Sequence, residues 1–245
     1  MLADAPEKDF ALVLPTLNEA GNIDQALLQL TEVLSDSDYR YEILVVDDGS
    51  TDGTVGQVQA WSRRDPRIRL ISRSGERGLA GAVLHGWKNC RACLLGVMDA
   101  DLQHPPNLLP QLLLDAERAD IVIASRYAHR HGIKGWNPVR AAVSKISTFA
   151  AGRLLSKKKL RVTDPMSGFF VVRRECIDGL TFQTSGFKLL LEILVRGRIR
   201  TAMEVPYQFG LRHAGQSKAS AVVAFQYLRL LGRLSKDLTL HSSGQ

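Results

Sequence analysis

The chain has 245 residues, enough for one large domain or a domain with an appended piece. Its composition, 45% hydrophobic and 23% charged, is that of a globular protein; no run of 18 unbroken apolar residues argues for a membrane span, and the opening MLADAPEKDF lacks the apolar core of a secretory signal. The formal net charge of +7 hides an asymmetry, because residues 1–125 hold 11 Lys+Arg against 19 Asp+Glu while residues 126–245 hold 21 against 6.

Residues 10–14 (FALVL) form a short apolar run stopped by Pro15, a strand pattern. Ile23, Ala26, Leu27, Leu30, Val33 and Leu34 follow at helical spacing, with Asn22 and Gln25 expected as a capping pair. Residues 41–46 (YEILVV) are β-branched and strand-like, 55–64 suit a short helix, and 68–72 a third strand. Residues 79–90 read as a helix, 94–98 as a fourth strand, Pro105 and Pro106 as a helix start, and 121–124 (IVIA) as a fifth strand. Apolar strands alternating with helices predict an α/β fold around a mostly parallel sheet. Cysteine is sparse: Cys90 and Cys93 form one C-x-x-C with no second pair, which favours reduced thiols over a zinc or redox site.

Ligands of open α/β sheets bind beyond the carboxyl ends of the strands. Three polar clusters fall at such ends: PTLNE (15–19) after the first strand, DDGSTDGT (47–54) after the second and DADLQH (99–104) after the fourth. In extended chain, residues two apart point the same way, so Asp99, Asp101 and Gln103 are expected in line. Their oxygens are hard ligands suited to Mg²⁺ or Mn²⁺, and too few for a closed calcium cage. Such an ion completes its shell with water and substrate phosphates, which offsets two clustered charges. The alternative is an Asp-rich turn capping the next helix. In the second cluster Asp52 and Thr54 are expected to start a helix, leaving Asp47 or Asp48 to accept from a nucleobase ring NH, with Glu19 lining the same pocket.

The segments LPTLNE, VVDDGSTDGT, RGLAGAVLHG, MDADLQHPP, SRY, TDPMSGFF and HAGQSK, in this order over about residues 10–218, resemble the family-2 inverting glycosyltransferases of GT-A fold. D-A-D-L-Q-H-P-P, D-P-x-S-G and G-x-S-K narrow the resemblance to the polyprenyl-phosphate mannosyltransferases of dolichol-phosphate mannose synthase type. The resemblance implies a catalytic domain over residues 1–218 and an amphipathic helix and tail over 219–245. It implies that Pro15, Leu17, Glu19, Val46 and Asp48 hold the guanosine of GDP-mannose. Asp99, Ala100, Asp101 and Gln103 then form the metal and diphosphate segment, with Asp99, Asp101 and Gln103 on Mg²⁺ or Mn²⁺. Arg126 lies near the phosphates, Arg212 and Lys218 clamp donor and acceptor phosphates from a loop, and Arg140 marks the acceptor site. Asp101, Arg126, Arg212 and Lys218 are the catalytic set. Leu17 departs from the family, where an aromatic residue is common: it packs on a base but does not stack as a ring does.

The implied acceptor is a polyprenyl monophosphate. Its second pKa is about 6, so it is largely dianionic at neutral pH and needs no strong general base. That agrees with a sequence lacking an evident Ser/His/Asp or Cys/His arrangement. Val139, Ala142, Val143, Ile146, Phe149 and Ala150 form a helical stripe, and residues 221–234 are apolar nearly all round, so either segment is suited to a membrane interface or to the sheet. The expected location is peripheral, on the cytoplasmic face of a membrane, with a small membrane-anchoring subunit as a potential partner. His104 is expected to be a structural hydrogen-bonder more than a ligand contact. Two rivals are a UDP-glucose-dependent polyprenyl-phosphate enzyme of the same fold and a basic nucleic-acid-binding module. The second explains the basic half but not three acidic clusters on one sheet edge, so no nucleic-acid partner is expected.

Overall fold

The computed structural model describes residues 9–75, 78–127, 151–156, 158–182 and 188–208. In chain order the elements are β1 (Asp9–Thr16), α1 (Ile23–Ser35), β2 (Arg40–Asp47), α2 (Thr54–Arg64), β3 (Ile68–Ser72), α3 (Leu79–Lys88) and β4 (Leu94–Val97). A 3-10 turn (Pro106–Leu108) leads into α4 (Leu109–Ala116), followed by β5 (Ile121–Ser125), β6 (Phe170–Arg173), α5 (Leu189–Arg196) and β7 (Ala202–Pro206). The strands form one sheet in the order β3-β2-β1-β4-β6-β5-β7. All neighbouring pairs are parallel except those of β6, which runs antiparallel to both β4 and β5. This is the mostly parallel α/β sheet expected of a GT-A fold.

Alternate side chains of each central strand enter opposite cores, which is why the strands read as unbroken apolar runs. Ala11, Val13, Leu44, Val46, Leu95 and Val97 face a core closed by α3 and α5. Phe10, Leu12, Leu14, Ile43 and Val45 face one closed by α1 and α4. On α3, Gly86 lets the helix approach the sheet: a β-carbon there would lie 2.6 Å from Val13 Cγ2. Residues 151–156 are helical, and Ala151, Leu154 and Leu155 are buried against the first core. The stripe from Val139 to Ala150 lies outside the described residues.

Two consecutive arginines at the end of β6 tie the layers together. Arg173 donates from Nη2 to the carbonyls of Ala116 and Glu117, each at 2.9 Å, closing the C-terminus of α4. Arg174 points to the other face and donates to the carbonyls of Ala92 at 2.7 Å and Trp87 at 3.3 Å, beside the C-terminus of α3. A guanidinium meets the negative end of a helix on each face.

Candidate active site

The loops that follow β2, β1 and β4, neighbours in the sheet, carry the three polar clusters. Pro15 costs no ladder bond. The Val13 carbonyl accepts from Met98 at 3.1 Å, so alternate residues of β1 face β4, and at Pro15 β4 has already ended. The first two loops are laced to each other. Asn18, at φ 60°, donates its N–H to Ser50 Oγ at 2.8 Å and accepts from the Thr51 N–H at 2.9 Å. The Glu19 N–H reaches Thr54 Oγ1 at 2.9 Å, and the Ala20 N–H reaches Asp52 Oδ2 at 2.9 Å. Asp52 also accepts from the Thr54 N–H at 3.1 Å, but the expected cap is corrected: α2 begins at Thr54 with Gly53 as its N-cap and no side-chain cap bond.

The adjacent aspartates divide. Asp47 is 1% exposed and accepts from the N–H groups of Gly49 at 3.0 Å and Ser50 at 2.8 Å, and from the hydroxyls of Thr16 and Ser50. It builds the loop. Asp48 accepts from Arg73 Nη1 at 2.9 Å and from the Gly78 N–H at 2.8 Å. Leu17 and Glu19 are half-buried, and Val46 is fully buried. The expected cap on α1 is corrected. Asn22 makes no side-chain cap bond; its Nδ2 instead donates to Glu19 Oε2 at 2.7 Å, fixing that carboxylate beside the loop.

The third loop also departs from expectation. Extended chain stops at Val97, residues 100 and 101 turn, and Leu102 adopts φ 61°. Asp99, Asp101 and Gln103 therefore do not follow one another along a strand. Asp101 is buried and accepts the Gln103 N–H on Oδ1 at 3.2 Å, while the Asp99 side chain keeps 32% exposure. Ala100 is buried between them. Among the described residues no three His, Cys, Asp or Glu side chains gather into a closed metal cage. The cysteines are all free thiols, with the Cys90 and Cys176 thiols pushed up by burial.

The far wall comes from the second half of the chain. Asp164 is fully buried and takes Arg126 through two bonds, Nε to Oδ2 at 2.7 Å and Nη2 to Oδ1 at 2.8 Å. Burial pushes the Arg126 pKa down, but the Asp164 hydrogen bonds and charge outweigh it, so its pKa is raised. Arg126, expected near the phosphates, is thus engaged by Asp164 through Nε and Nη2. Glu204 on β7 supports this corner, accepting the N–H groups of Thr163 at 2.9 Å and Asp164 at 3.0 Å. Ser167 donates to the Ala124 carbonyl at 2.7 Å, which brings Gly168 against Asp99; a β-carbon on Gly168 would lie 2.6 Å from Asp99 Oδ2. Sequence reasoning missed Asn22 as a holder of Glu19, Asp164 as the partner of Arg126, and Gly168. The TDPMSGFF motif was the signal for Asp164 and Gly168. Arg140, Arg212, Lys218 and the 218/219 domain boundary lie outside the described residues, as does the segment 221–234 expected to be helical.

Residues 11–180 match the model of the glycosyl transferase family 2, and the chain belongs to that family. The relatives narrow this to its dolichol-phosphate mannosyltransferase group. Proteins of that name from Pyrococcus furiosus and Saccharomyces cerevisiae are 38% and 34% identical, each over 92% of this chain. The chain spans 63% of the length of the first and 86% of the second. Solved structures of glucosyl-3-phosphoglycerate synthase from Mycobacterium tuberculosis share the fold. The complex with Mn²⁺, UDP-glucose and phosphoglyceric acid has a TM-score of 0.70 at 20% identity, covering 95% of this chain and 80% of that one. The complex with Mg²⁺ and UDP has a TM-score of 0.69 at 22% identity, covering 93% and 80%.

Proposed function

We propose that this chain transfers mannose from GDP-mannose to a polyprenyl (dolichyl) monophosphate with inversion, forming a β-mannosyl phospholipid at the cytoplasmic face of a membrane. The relatives carry the mannosyl and dolichyl parts of this reading. The observation on the molecule that carries it is the meeting of the clusters after β1, β2 and β4 with a wall built by Arg126, Asp164 and the chain leading into β6. Pro15, Leu17, Glu19, Val46 and Asp48 form the guanosine side, with Glu19 braced by Asn22 and Asp48 by Arg73.

The residues present fit a divalent cation of the Mg²⁺ or Mn²⁺ kind. Asp99 and Asp101, with the Gln103 amide, offer hard oxygens but no closed cage, which leaves room for water and diphosphate oxygens. Gly168 leaves space for the Asp99 carboxylate, which a β-carbon at that position would push aside. When bound, the cation supplies positive charge to the departing diphosphate. The chain's own part is positioning: Arg126 is held rigid by Asp164, and Arg212 and Lys218 bring further charge to the phosphates. The acceptor oxygen attacks the anomeric carbon from the face opposite the leaving group, and no side chain needs to remove a proton. No helix among the described residues is long and apolar enough to cross a membrane, which fits peripheral attachment through 221–234 or an anchoring subunit.

The test is incubation of labelled GDP-mannose with polyprenyl phosphate vesicles. The expected product is a mannosylated lipid stable to mild base and labile to mild acid. EDTA abolishes its formation, and Asp101→Ala lowers turnover by about 100-fold or more with the melting curve intact. Transfer from UDP-glucose but not from GDP-mannose assigns the chain to the rival donor, and full activity in EDTA overturns the cation.

A further inference from the structure

We propose that His104 is a positioning residue that orients Asp99, with its own tautomer set by Tyr207. The inference rests on the cation reading of Asp99 and Asp101. His104 is 2% exposed, in a pocket with the rings of Phe169 and Tyr207, each 5.6 Å away between centroids. Its Nδ1 lies 2.7 Å from the Tyr207 hydroxyl, and its Nε2 lies 3.5 Å from Asp99 Oδ2. Tyr207 directly follows β7 and is itself buried.

Both ends of the imidazole select one proton position. A phenol keeps its proton at neutral pH, so the Tyr207 hydroxyl donates to Nδ1. The opposite tautomer would place a bare Nε2 lone pair against the Asp99 carboxylate, two acceptors face to face. With the hydrogen on Nε2, the ring donates toward Asp99 Oδ2 instead. Gly168, just before β6, leaves the space that this carboxylate occupies. Oδ2 is therefore oriented by the ring of His104, which reaches it from the loop after β4. Fixing a ligand carboxylate in this way spares the reorganisation that an otherwise loose aspartate undergoes on binding, and loss of such support commonly weakens metal affinity by about 10–100-fold.

The experiment measures Mn²⁺ affinity from the free-ion electron paramagnetic resonance signal at saturating GDP, alongside GDP affinity without metal and the melting temperature. His104→Leu is expected to weaken Mn²⁺ binding by about 10-fold or more. His104→Gln, which keeps an N–H near the Nε2 position, recovers most of that loss. Tyr207→Phe, which leaves the tautomer unset, falls between them. GDP affinity without metal stays within about twofold throughout. Should His104→Leu fail to fold, His104→Gln and Tyr207→Phe decide alone: parental Mn²⁺ affinity in Tyr207→Phe overturns the proposal. Asp99→Ala is the control. If it weakens Mn²⁺ while the His104 and Tyr207 variants do not, only the positioning role fails. If it too leaves Mn²⁺ unaffected, the cation reading falls with it.

Discussion

Asp47 and Asp48 are neighbours in sequence with unlike work: one is consumed by the turn that carries the loop, the other is braced by Arg73 at the site. The pattern of two carboxylates after a buried strand was legible in the residues, because a turn alone requires one. Which of them builds the turn was not, since that depends on Ser50, Thr16 and Gly78 arriving from three segments. His104 was read as a structural hydrogen-bonder and is one, but its partner Tyr207 is 103 positions away and no local spacing announces it. The same distance problem hid Asp164. Replacing it by Asn leaves the Arg126 guanidinium, 13% exposed, facing a neutral amide. We expect a loss of about 3–5 kcal/mol, read as a lower urea midpoint at unchanged slope.

At the scale of elements, all five strands expected in the first half are present, with ends moved by at most two residues. Their apolar runs are bounded by turn residues, and the helices between them show a clean 3.6 period. The described elements of the second half were not read from the residues. β6 and β7 are four and five residues long, and α5 is eight, buried everywhere except at Arg196, which is little length for a period to show. Even Glu192 within it is fully buried, paired to Arg196 at 2.6 Å. The arginine pair of β6 acts at this scale too. Arg173→Ala and Arg174→Ala each strand the last carbonyls of a different helix, and each is expected to cost about 2 kcal/mol. They share no partner, so urea denaturation of the double variant should give the sum of the two losses.

For the whole molecule, the excess of basic residues is partly spent inward. Arg126, Arg173, Arg174, Arg196 and Lys158 all bond to carboxylates or carbonyls of the protein itself, which weakens the case for a nucleic-acid surface. Acid acts on the opposite charges. Burial pushes the Asp120 carboxyl up, but hydrogen bonds from Thr201 and Arg200 and the charge of Arg173 outweigh it, holding the group below the usual range. Asp52 and Asp65 are likewise held low, Asp52 by hydrogen bonds that outweigh burial and Asp65 chiefly by its Arg67 hydrogen bond. A depressed carboxyl contributes stability that is complete above about pH 4 and drains as pH falls through its folded value. The urea midpoint should therefore drop as pH falls below about 4, a carboxylate's ordinary pKa, and Asp120→Asn should flatten that drop. The reversed strand has a last consequence. β4 finds its second neighbour only when Leu95 meets Val172, across a long excursion of chain, whereas β1, β2 and β3 join through short βα units. A nascent polypeptide that has emerged only through β5 carries the acids of the first three loops yet presents the flank of β4 bare, ready to pair with a stranger. The site is thus complete only when the later chain arrives, because such a fragment lacks Asp164 and Glu204 and the corner they build.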